Sequence, residues 1–249
     1  MSKKSLAIFG EHLLANALAD AFLETDFQVS VNQADPHTHI VIETNHLVEE
    51  KRQAMEKIET MVAEEALIVT SCLTFTATEI GSWMAHPERL IGFATYANFS
   101  EHELVEVAKP LQADSVYLAK TAELFQKIGL SVEVVEDEVG MVYPRILALI
   151  INEAAYALTE KIASAKAIDT AMKKGVNYPL GPLEWAEKIG IEDVYAVLAG
   201  LYRQFGEERY RPAPLIKKLV FAKWVGGETK KGFYHYDHFK NRQKELIEN

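Results

Sequence analysis

The sequence predicts an α/β fold, a doubly wound and mostly parallel sheet over residues 1–137, followed by an all-helical region over 138–249. Three observations carry this. Short apolar runs alternate with helical patterns through the first half; the opening run, Leu6–Phe9, ends at a glycine that leads into a helix; and from Gly140 onward helical periodicity is nearly continuous.

The elements follow in order. Leu6–Phe9 is a strand ending at Gly10, and Leu13, Leu14, Ala17, Leu18, Ala21 and Phe22 recur at helical spacing. Phe27–Val31 is the next strand, so strand, glycine turn, helix and strand form a βαβ unit of the Rossmann type. Ile40–Glu43 is a third strand, 47–62 an amphipathic helix, Leu67–Thr70 a fourth strand and Thr76–Met84 a short helix. Leu90–Phe93 and Leu104–Val107 are strands flanking a polar crossing. Ser115–Ile128 is a helix closed by Gly129, and Ser131–Val135 a last strand. The second half divides into helices over Met141–Ile162, Ser164–Lys174, Pro182–Ile189, Ile191–Phe205 and Pro214–Trp224. Ser164 is a candidate N-cap there, and Gly175, Gly190 and Gly206 stand at the breaks.

The dinucleotide fingerprint G-x-G-x-x-G is degenerate. It reads Gly10-Glu11-His12-Leu13-Leu14-Ala15, so only the first glycine is present, and His12 brings a side chain where a pyrophosphate needs bare backbone. Ala15 satisfies the need for a small residue. After the second strand, Asn32 or Gln33 stands where an acid would hold a ribose. Gly10, Ala15, Gln33 and Glu43 are the candidate cofactor contacts, and NAD is a weakly supported cofactor.

The chemistry centres on the strand pair around the crossing. Alternation places Glu106 on the same face as His102 and Leu104. A carboxylate on a half-buried strand needs a partner, so Glu106 is either a site residue or an acid paired with a lysine or arginine. The position facing it across the crossing is Ala94, which carries no chemistry. His102 reads as a solvent-facing histidine, and Asn98 as a residue that stabilises the turn. Cys72, the single cysteine, reads as an inert buried thiol in a chain without an intramolecular disulfide.

The net charge of −10 is uneven: residues 1–110 hold 7 of the 26 Lys and Arg but 17 of the 36 Asp and Glu. This disfavours nucleic acid. No apolar run is long enough to span a bilayer, and Met1-Ser2-Lys3-Lys4 runs straight into the first strand without a signal-peptide core, so a cytoplasmic location is expected. The eight histidines show no metal-ligand spacing, and no metal is expected.

Several stretches, in this order, resemble the 3-hydroxyacyl-CoA dehydrogenase family. In the second half they are Asn152-Glu153-Ala154, Ala167–Met172, Tyr178–Glu184, Arg209-Tyr210-Arg211-Pro212 and Lys231-Gly232-Phe233-Tyr234. In the first half Asp35–Glu59, Pro87–Gly92 and Leu104–Val107 also align. The resemblance implies a Rossmann domain followed by a helical domain that forms a homodimer, and an acyl-CoA as ligand. It implies a catalytic histidine two residues after Gly92, where this chain has Ala94, oriented by a glutamate that matches Glu106. It implies a substrate-contacting serine where Leu73 stands and an asparagine where Pro144 precedes Arg145. A helical hairpin that contacts coenzyme A is implied after the second strand, but only the short loop Gln33–Thr38 is present. Lys217, Lys218, Lys223, Lys230 and Lys231 make the C-terminal region basic, suited to a CoA phosphate or to a solvated helix face. With three of the implied groups replaced, the expected outcome is a scaffold whose standard oxidation is lost or strongly weakened. The alternative is an active dehydrogenase with an altered site.

Overall fold

The structure is a computed structural model, and it describes residues 4–238. The chain divides into two compact units, Met1–Pro144 and Arg145–Asn249, and the division falls in the first turn of a helix. The part of the expected helical domain over 239–249 lies outside the described residues, as do 1–3.

The first unit is built on a seven-stranded sheet. Its strands are β1 Ser5–Phe9, β2 Gln28–Val31, β3 Ile40–Glu43, β4 Leu67–Ser71, β5 Leu90–Ala94, β6 Leu104–Ala108 and β7 Ser131–Val134. They lie in the order β2-β1-β3-β4-β5-β6-β7, parallel throughout except where β6 runs against β5. The helices are α1 Leu13–Leu23, α2 Val48–Met61, α3 Ala77–Gly81 and α4 Ser115–Gln126.

Every residue of β4 and β5 is buried, which explains why these strands read as unbroken apolar runs. Leu14, Leu18 and Phe22 of α1 and Leu124 and Phe125 of α4 cover one face of the sheet, against Leu6, Ile8, Val69, Phe93 and Val107. Met55 and Ile58 of α2 and Ile80 of α3 cover the other, against Ala7, Val41, Ile68 and Leu90. The chain returns from β2 to the opposite side of β1 to lay down β3 after only a short loop. That reversal makes the carboxyl ends of β1 and β3 the switch point of the sheet, where such folds hold a ligand.

The second unit contains α5 Tyr143–Thr159 from Arg145 onward, α6 Ala165–Gly175, α7 Pro182–Ile189, α8 Ile191–Phe205 and α9 Pro214–Phe221. Ser164 caps α6 through its hydroxyl, which accepts from Ala167 N at 3.3 Å. Asp169 of α6 is buried and receives the first amides of α7, Leu183 N at 2.9 Å and Glu184 N at 3.0 Å, while the Tyr234 hydroxyl donates to it at 2.7 Å. Gly181 permits this approach, since a Cβ there would sit 2.1 Å from the Asp169 Cβ. Gly206 ends α8 in the left-handed region, as its place at a break suggested. Gly175 instead lies inside the last turn of α6.

Candidate functional site

Ala94 and Glu106 face each other across the antiparallel β5–β6 pair, so the expected partner position is where the sequence put it. Directly opposed residues share a face of the sheet, and what meets the carboxylate there is a methyl group. Ala94 and Glu106 are both buried. The partners of Glu106 are not side-chain cations. Its two oxygens accept the backbone N–H groups of Val142 and Tyr143, both at 2.8 Å, so the acid closes the N-terminal end of α5. Burial raises its pKa above the ordinary 4.5, and the two N–H donors oppose that rise.

His102 departs from the expected strand phase. The chain forms a 3-10 turn over Phe99–Glu101, Glu103 takes a positive φ of 51°, and β6 begins only at Leu104. Alternation therefore does not extend back to His102. It is exposed, as expected, and its Nε2 lies 2.9 Å from Asn98 Nδ2 and 3.1 Å from the Tyr143 hydroxyl. Leu73 is fully buried. The Pro144 carbonyl accepts the Tyr96 hydroxyl at 3.0 Å, at the residue where the resemblance implied an asparagine.

The second cluster lies at the switch point. Gly10 has φ of 141°, and a Cβ there would come within 2.1 Å of Thr44 Oγ1, so the first fingerprint glycine is required by local geometry. Its peptide is clamped by Asn32, whose Oδ1 accepts Gly10 N–H at 2.9 Å and whose Nδ2 donates to Gly10 O at 3.3 Å. Ala15 is buried against the sheet, while Gln33 is exposed and its carbonyl accepts the Ser30 hydroxyl at 2.8 Å.

Glu43 is fully buried and engaged on both oxygens. Lys51 Nζ, itself fully buried, donates to it at 2.6 Å, Thr70 Oγ1 at 2.8 Å, and Asn45 through its backbone N–H at 2.8 Å and Nδ2 at 2.9 Å. His12 precedes α1 without capping it. Its ring reaches across the switch point so that Nε2 lies 2.8 Å from the Thr44 carbonyl, and it meets His46 with ring centroids 4.3 Å apart. His46 is neutral, its pKa lowered to about 3 first by burial and then by Lys51. These two histidines stand far apart in sequence, and no local spacing announced them as neighbours.

The comparisons with known proteins agree with this architecture. Residues 5–138 match the NAD binding domain of 3-hydroxyacyl-CoA dehydrogenase, and residues 140–236 match its C-terminal domain. The chain belongs to the 3-hydroxyacyl-CoA dehydrogenase family. It is 35% identical over 198 residues to a 3-hydroxybutyryl-CoA dehydrogenase of Bradyrhizobium diazoefficiens, covering 79% of this chain and 68% of that protein. It is 32% identical over 202 residues to a probable 3-hydroxybutyryl-CoA dehydrogenase of Bacillus subtilis, covering 81% and 70%. Among solved structures, the (S)-3-hydroxybutyryl-CoA dehydrogenase of Ralstonia eutropha superposes with a TM-score of 0.75 at 26% identity, over 94% of this chain and 99% of that one.

Membership supports NAD as the ligand of the first domain, yet the residues of this turn do not fit it in the usual manner. The Gly10 peptide is already saturated by Asn32, and the His12 ring lies across the opening where a pyrophosphate needs uncovered backbone. Glu43 is committed to Lys51 and Thr70. In the second unit, Lys217, Lys218, Lys223, Lys230 and Lys231 are all exposed. No helix among the described residues is long and apolar enough to cross a membrane.

Proposed function

We propose that this chain is a 3-hydroxyacyl-CoA dehydrogenase scaffold in which the standard NAD-dependent oxidation is lost or strongly weakened, while binding of an acyl-CoA or a protein partner is retained. The observation that carries the reading is the pair Ala94 and Glu106, a methyl group facing a carboxylate whose two oxygens already hold the amides of α5. Taking hydride from a secondary alcohol requires a group beside the hydroxyl to accept its proton. Absence of one general base costs about 10²–10⁴ in rate. Absence of the donors that polarise the carbonyl costs about 10²–10³ more. Leu73 and Pro144 supply neither donor from their side chains. Such groups act together, so these factors do not simply multiply.

A place in fatty-acid metabolism, a homodimer formed through the helical domain and a cytoplasmic location accompany this reading. The test is NADH oxidation with acetoacetyl-CoA. Turnover no faster than the blank is expected, and a rate typical of the family overturns the proposal.

The second reading is an altered dehydrogenase acting on a smaller substrate. It is favoured by the hydrogen-bonded His102 and Tyr143, acid–base groups beside the Glu106-capped turn, and by the short loop in place of the hairpin. Calorimetric titration with NAD(H) separates the two: micromolar binding supports the altered enzyme, and no heat at millimolar cofactor removes it.

A further inference from the structure

The imidazoles that disfavour a pyrophosphate at the switch point have a chemistry of their own. We infer that His12 and His46 form a binding site for a divalent transition metal ion of the zinc class, at the carboxyl ends of β1 and β3. The ring nitrogens that would serve as ligands lie within 4.8 Å of each other. Two imidazole nitrogens on one tetrahedral zinc, each about 2.0–2.1 Å from the metal, are about 3.4 Å apart, which lies within that limit.

The tautomer of His12 is set by its neighbour. A carbonyl oxygen only accepts, so the contact of Nε2 with Thr44 O makes that nitrogen the N–H donor and leaves Nδ1 with the lone pair. A ligating histidine is commonly oriented in this way, with its second nitrogen held by a backbone carbonyl. Imidazole donors suit zinc, copper and nickel better than magnesium or calcium, and water completes the coordination.

This inference stands apart from the catalytic reading, since a metal at the switch point neither requires nor forbids chemistry at Ala94. Zinc is titrated calorimetrically into chelator-treated protein. One ion per chain is expected, with affinity reduced at least tenfold in both His12→Gln and His46→Gln. His86→Gln, which alters the half-buried histidine beside Glu64 and Glu88, leaves that affinity unchanged. Absence of saturable binding, or binding indifferent to both switch-point variants, overturns the inference. Cobalt added to the unaltered protein gives a readout that does not depend on the variants folding. Visible bands more intense than those of the hydrated ion are expected, and a spectrum identical to the hydrated ion overturns the site.

Discussion

Opposite Ala94, the Glu106 carboxylate has a structural task. Glu106 faces a methyl group and binds two backbone N–H groups at the start of α5. Glu106→Ala leaves both amides without that acceptor and is expected to lower stability by about 1–3 kcal/mol, read from the urea midpoint. The pH dependence has a definite sign. The folded-state pKa of Glu106 is raised above 4.5, so the folded protein holds this proton more tightly than the unfolded chain does. Its contribution to stability therefore falls as pH rises from about 4.5 through the raised value, and Glu106→Gln removes that part of the profile. On the proposed reading, introducing a ring alone with Ala94→His is expected to leave NADH oxidation with acetoacetyl-CoA at the level of the unaltered protein, because Leu73 and Pro144 remain.

Three helices of this chain, α3, α5 and α7, are held at their N-terminal ends by acids delivered from other elements. Asp137 accepts Ala77 N and Thr78 N, both at 2.7 Å, supplementing the local Thr76 cap of α3. Asp169 does the same for α7. Periodicity reveals that a helix exists but cannot reveal a cap delivered from another element, so these partnerships were hidden in the sequence. Asp137→Ala is expected to cost about 0.5–2 kcal/mol in chemical denaturation, with Asp137→Asn recovering part of it. Helix α2 did carry a readable signal. Lys51 shares a helical stripe with Met55 and Ile58, and a lysine on an apolar stripe requires a buried partner, which proves to be Glu43. Lys51→Met strands that carboxylate and is expected to lower stability by about 3–5 kcal/mol, with a double-mutant cycle against Glu43→Gln isolating the pair.

Across the molecule, the strands were legible as short apolar runs and the helices as periodic apolar faces, and the resemblance supplied their assembly. All seven strands lie where the apolar runs stand, and the short loop between β2 and β3 is as the sequence suggested. The candidate site was legible only where it depended on strand register. Ala94 could be paired with Glu106 because both lie on regular strands, whereas His102 could not be placed because the chain leaves the pleat at Glu103. The His12–His46 contact and the Asn32 clamp on Gly10 required the sheet to fold before their residues met. Asn32 itself takes a positive φ of 53°, a conformation asparagine tolerates but no spacing rule predicts.

Cys72 lies at the centre of this first unit, fully buried, in a place where a Cβ on Gly92 would come within 2.6 Å of its sulfur. Burial pushes its pKa up, so the thiol stays protonated and beyond the reach of alkylating reagents. A lone sulfhydryl sealed in this way becomes an intrinsic clock. Its rate of modification under native conditions reports how often the sheet opens, without an added label. Lys51→Met and Glu106→Ala should both quicken that clock, each in proportion to the equilibrium it weakens.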